Sequence, residues 1–201
     1  MRRIRTELHS LLLKLTALTS TLRMSTSTAP VAPMSLGSGT QLAGHPAAIR
    51  MEALPVRTGA NATVGHGLGA VPEMILIKDR SNAESWIVYH EAVGNDGNVY
   101  LNLTNGKATQ AVFNNTTPTS SVFSLGSTDG ANKSSANHVA YCFAEVEGFS
   151  KFGSYEGNGS TDGPFVYTGF KPRWVMIKRY DSTESWPILD TARGSGNFGS
   201  A

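Results

Sequence analysis

Glu73-Met-Ile-Leu-Ile-Lys78, opened by Pro72, and Ser85-Trp-Ile-Val-Tyr-His90 are the two stretches that decide the fold. Both are short, apolar and rich in β-branched or aromatic residues, the composition of strands. Asp79-Arg-Ser-Asn-Ala-Glu84 between them is polar and turn-forming. The three pieces together predict a β-hairpin with a long loop. Downstream, Gly94-Asn-Asp-Gly97 predicts a second turn, because Asp-Gly tolerates the positive φ of a tight hairpin. Further strands are expected in Asn98-Val-Tyr-Leu-Asn-Leu103, in Ser121-Val-Phe-Ser-Leu125 and in the alternating run over 137–147. Several short strands without helical periodicity imply an all-β antiparallel sandwich of jelly-roll type.

The hairpin sequence occurs twice. Gly69, Pro72, Ile77, Lys78, Glu84, Ser85, Trp86, Ala92 and Gly94 return as Gly169, Pro172, Ile177, Lys178, Glu184, Ser185, Trp186, Ala192 and Gly194. The spacing is 100 residues without a gap, too long for a solenoid unit and right for domains in series. The expected organisation is therefore a helical leader and flexible linker over 1–57, one β-sandwich repeat over 58–147, and a truncated second repeat over 148–201. Half a sandwich exposes a strand edge and an apolar face, which natural proteins avoid. The chain is thus expected to be a fragment of a longer protein, with strand donation by another subunit as the alternative.

Charged residues make up 16% of the chain, too few for the outer faces of a helical bundle. The charge is also uneven. Residues 1–57 hold seven basic and two acidic side chains, and residues 58–201 hold ten and thirteen. The body is mildly acidic, which argues against nucleic acid as a partner. No apolar stretch reaches the roughly 18 residues of a membrane span. Leu8, Leu11, Leu12, Leu15, Leu18 and Leu22 follow helical spacing and predict an amphipathic N-terminal helix. It reads as an assembly-docking helix, a targeting segment or a stretch with no folded role. Residues 24–57 are poor in large apolar groups and are expected to be disordered or extended.

Each candidate for chemistry has a plainer reading beside it. Val64-Gly-His-Gly-Leu-Gly69 looks like a phosphate loop, but Pro72 and a strand follow it rather than a helix, so a turn is expected. Asp96, Asn98, Asp129, Asn132 and Asp162 offer oxygens, yet their spacing matches no calcium loop. Cys142 is expected as a small buried strand residue, and Lys78 and Lys178 as solvated strand ends. No catalytic set is recognisable among His66, His90, His138, Glu84, Glu91, Glu145 and Glu147. The expectation is no catalysis, no cofactor and no metal. Trp86 and Trp186 hold the same place in both copies. They are the candidate surface or glycan contacts, weighed against ordinary core packing.

Gly59-Ala-Asn-Ala-Thr-Val-Gly-His-Gly-Leu-Gly-Ala-Val-Pro72, Ile77-Lys-Asp-Arg80, Asn114-Asn-Thr-Thr-Pro-Thr-Ser-Ser-Val-Phe-Ser124 and the run from Val139 to Tyr155 carry a resemblance. Over residues 58–201 the chain resembles a repeated domain of bacteriophage virion proteins. Such domains occur in tail-fibre-like and other structural proteins of aquatic phages, some beside concanavalin-like, laminin-G-type sandwiches. Copies of that domain enter the motif through a strand like Gly148-Phe-Ser-Lys-Phe-Gly-Ser-Tyr155, to which Ala48-Ile-Arg-Met-Glu-Ala-Leu-Pro55 looks unrelated. The resemblance implies a structural or host-surface-binding module located in the virion. Its partners would be other virion proteins, copies of itself or a host-surface glycan. The alternative is a lectin-like, carbohydrate-binding module of a secreted or cell-surface bacterial protein.

Overall fold

The structure, a computed structural model, describes residues 49–54 and 59–193. The leader helix, and the linker apart from Ile49–Leu54, lie outside the described residues. Among these there are nine strands, one short α-helix and a 3-10 turn over Thr191–Arg193: β1 (Ile49–Leu54), β2 (Ala62–Gly65), β3 (Met74–Asp79), β4 (Ile87–His90), β5 (Val99–Tyr100), β6 (Val122–Leu125), α1 (Asp129–Asn132), β7 (His138–Phe143), β8 (Trp174–Met176) and β9 (Ile188–Asp190). All pairings are antiparallel. The protein is an all-β sandwich, as its sequence pattern implies.

One sheet has the order β1-β7-β3-β4-β5, and β2 pairs with β6 in a second sheet. Side chains alternate across a strand, so odd-numbered residues of β3 and β4 share one face. Ile75, Ile77, Ile87 and Tyr89 on that inner face meet Val64, Phe123 and Leu125 of the second sheet in one core cluster. Val112 and Phe113 fill the gap, and the Phe113 ring meets Tyr89 edge-on, 5.1 Å between centroids. Each such buried side chain stabilises the fold by about 1.5–3 kcal/mol. Cys142, on the inner side of β7, is fully buried in this layer. Met74, Leu76, Val88 and Val99 form a separate cluster on the outer face.

Three local differences from the sequence pattern have physical reasons. Ile49–Leu54, within the stretch read as linker, is a strand paired with β7 from Ile49↔Phe143 to Leu54↔His138. The sheet thus reaches upstream of residue 58. The strand expected over Asn98–Leu103 shortens to Val99–Tyr100, because the chain turns away at once, with Leu103 N–H donating to the Tyr100 carbonyl. The turn before it takes its positive φ at Gly94 (89°) rather than at Asp96-Gly97. Gly97 is needed for another reason: a Cβ there would lie 2.6 Å from the Ala108 carbonyl oxygen.

The repeated sequence forms the same hairpin again. β8 pairs with β9 as Trp174↔Asp190, Val175↔Leu189 and Met176↔Ile188. The first copy pairs as Met74↔His90, Ile75↔Tyr89 and Leu76↔Val88. Every pair is displaced by 100 residues, so the repeated sequence reproduces register as well as strand type.

Candidate functional site

The two repeated tryptophans, Trp86 and Trp186, lie where the second hairpin meets the outer face of the first. Met176, Trp186 and Phe152 pack against the Met74–Leu76–Val88–Val99 cluster together with Trp86 and Tyr141. Chain leaving β5 supplies a polar border to this apolar layer. The Trp186 indole N–H donates to the Tyr100 carbonyl at 2.9 Å. Glu184 N–H donates to the Thr104 carbonyl at 2.8 Å, and Lys107 N–H to the Tyr180 carbonyl at 2.7 Å. Gly106 permits this approach, since a Cβ there would stand 2.9 Å from the Tyr180 carbonyl oxygen. The early turn after β5 thus converts an expected strand into a docking strip over residues 100–107.

Trp86 and Trp186 both serve this layer. Trp86 is half-buried and stacks on Tyr141, 6.3 Å between centroids and 26° between planes. Trp186 is half-buried too, with the Lys178 ammonium 5.9 Å from its ring centroid. The two lysines do more than end their strands. Lys78 Nζ donates to the Glu84 carbonyl at 2.6 Å, folding the hairpin loop back on its strand. Lys178 makes the equivalent bond to the Glu184 carbonyl and a further one to the Thr104 carbonyl at 2.9 Å, across the boundary between copies. Burial at that seam lowers the Lys178 ammonium from its ordinary value, against the pull of Glu184.

The other candidates disperse. Gly65 ends β2, and the glycine-rich stretch makes the turns before β3. His66 is fully buried inside it, its Nδ1 accepting from Leu68 N–H at 3.2 Å and its Nε2 facing the Thr119 carbonyl at 3.0 Å. Asp96 pairs with Lys107 at 2.7 Å and Asp129 with Lys133 at 3.5 Å. Asn132 turns its amide to the Ala60 and Gly126 carbonyls, and Asp162 is exposed in its own turn. Among the described residues no group of three or more His, Cys, Asp or Glu side chains is placed to hold a metal ion. Glu145 pairs with Lys151 at 2.7 Å, and its N–H donates to the Glu73 carboxylate, which burial raises from its ordinary value. The open groove bounded by Glu84, Tyr100, Asn105, Gln110 and Thr128 holds about 280 Å³.

One pair escaped the sequence reading. His138 Nε2 lies 3.8 Å from Asp79 Oδ2, and both side chains are fully buried. Burial pushes the Asp79 carboxyl up. Hydrogen bonds from the Asn82 amide and from the Ser81 and Asn82 N–H groups, with His138 beside them, more than offset this and leave it lowered. The Asp79-Arg-Ser-Asn82 pattern signals the Asx turn, whereas 59 residues separate the two partners and nothing local announces the histidine. Closed off from solvent, the two side chains meet at the Asp79↔His138 end of the β3–β7 pairing.

No helix among the described residues is long and apolar enough to cross a membrane. A family model described as a domain of unknown function (DUF7483) matches residues 56–200. No curated protein and no solved structure matches the chain.

Proposed function

Since the chain belongs to that family of domains of unknown function, we propose that it is a non-catalytic virion module, tail-fibre-like, that contacts a host surface or braces the particle. One observation carries the reading: three residues at repeated positions of the second hairpin are spent on docking it to the first. Trp186, Lys178 and Glu184 all bond to the Tyr100–Thr104 stretch, and Trp86 lies in the same layer. Repeats whose shared side chains join neighbours make a spacer or a display arm.

Antibody against the chain, applied to phage-density particles from the source material, tests this. Labelling of particles by electron microscopy is the expected result, and antigen found only in the particle-free fraction overturns it. The lectin alternative predicts glycan-array binding that disappears in Trp86→Ala. Stacking of Trp86 on Tyr141 and the use of the Trp186 N–H at the seam favour the structural role over a sugar platform.

A further inference from the structure

The internal repeat allows the second copy to be compared, position by position, with the first. On the inner face of β3–β4, Ile75 and Ile77 are 0% exposed and Ile87 and Tyr89 3%. Their counterparts on β8–β9 are not covered: Val175, Ile177 and Leu189 are half-exposed and Pro187 is exposed. Before that hairpin, Phe165 is 90% and Tyr167 78% exposed. The opposite face of the same hairpin, by contrast, is occupied, with Met176 and Trp186 against the first copy.

Among the described residues the far edge of β8 is unpaired as well. Ile177 N–H donates to the Pro187 carbonyl and Thr191 N–H to the Arg173 carbonyl, so odd-numbered residues turn their backbone groups to β9. Trp174 and Met176 therefore turn theirs to the far edge. In the first copy the corresponding edge of β3 is paired throughout with β7, from Met74↔Phe143 to Asp79↔His138. β7 also pairs with β1 on its other side. The stretch that stands 100 residues after β1, Phe149–Ser154, forms no strand and, among the described residues, makes the single bridge Val146↔Ser150; Phe149 is 66% exposed. A strand in the place that β7 takes in the first copy would cover the β8 edge.

We propose that β8 and the inner face of its hairpin are a strand-accepting surface for a segment with the pattern of this chain's own His138–Phe143. The segment adds antiparallel to β8 between it and Phe149–Ser154. It sets small residues inward, as Ala140 and Cys142 are set, and larger ones outward, as Val139, Tyr141 and Phe143 are. Backbone bonds to Trp174 and Met176 hold it, and the inward alternation selects it.

The test is amide hydrogen exchange on the full chain, with and without a synthetic peptide of residues 135–147. A parallel arm lengthens the chain after Ala201 by a copy of its residues 102–147, which keeps the 100-residue spacing. Exchange at Trp174 and Met176 is expected to slow by about tenfold or more in either arm. The protection is expected to vanish when the added segment carries Ala140→Pro or the chain carries Val175→Asp. Unchanged exchange at Val88 shows that the first copy stays folded in every variant. No slowing in both arms overturns the proposal. So does slowing that needs no added segment and rises with protein concentration, which assigns the surface to a second copy of the chain.

Discussion

Lys78 and Lys178 stand in the same sequence frame, but only Lys178 bonds across the boundary between copies, to the Thr104 carbonyl. Lys78→Met removes the bonds to the Asn82 and Glu84 carbonyls within one loop and should cost about 1 kcal/mol. Lys178→Met removes the loop bond, the one across the seam and the ammonium beside the Trp186 ring, and should cost more; urea denaturation of the two variants measures the difference. Trp186→Phe keeps a ring in the apolar layer and deletes the bond to the Tyr100 carbonyl, again about 1 kcal/mol. The sequence makes these side chains visible as repeated positions. It leaves their partners hidden, because Tyr100 and Thr104 lie 86 and 74 residues away from the groups they accept from. His138 is hidden for the same reason, whereas Asp79, Ser81 and Asn82 form a turn that is legible locally.

Among the elements, the two hairpins are the most legible feature, since alternation and the repeated frame fix both strand type and face. Equal sequence does not bring equal energetics. Ile75→Ala empties a fully buried site and should cost about 2–5 kcal/mol. Val175→Ala, at the matching position on the half-exposed face, should cost well under half of that. Thermal or urea unfolding of the two variants tests the contrast, and equal losses would show the second hairpin to be as enclosed as the first. β1 was not legible as part of the sheet. Ile49–Leu54 has no resemblance to Phe149–Ser154, and its place depends on the backbone edge that β7 offers it. The docking strip was missed too, because a run of strand-forming residues gives no sign that the chain will turn at Leu103. Gly106→Ala drives a Cβ against the Tyr180 carbonyl and should cost about 1–3 kcal/mol, with faster amide exchange at Lys107 as its local signature.

At the level of the whole molecule, pH acts through His90, which connects the sheet to the start of the second copy. Its ring lies 6.3 Å from Phe152, and burial lowers its pKa below the ordinary 6.5, with Glu91 pulling the other way. The unfolded chain therefore takes up the proton first as pH falls. His90 contributes stability that is present above pH 6.5 and lost as pH drops from there towards its folded value. Unfolding curves at pH 7.5 and 5.5 should show a smaller acid loss for His90→Gln than for the native chain. Fold class and the register of the repeated hairpin were thus readable from residue pattern. The seam was not, since it is built from main-chain carbonyls and from contacts many tens of residues apart.

The three tryptophans give the molecule its own optical gauges. Trp86 and Trp186 sit half-buried at the seam, while Trp174 is 44% exposed on the open strand. A collisional quencher such as iodide will extinguish Trp174 first and leave a bluer residual emission from the other two. Loosening of the contact between copies would redden that residual light, and coverage of the open strand would remove the quenchable fraction. One spectrum can therefore follow the two events separately, with no added dye.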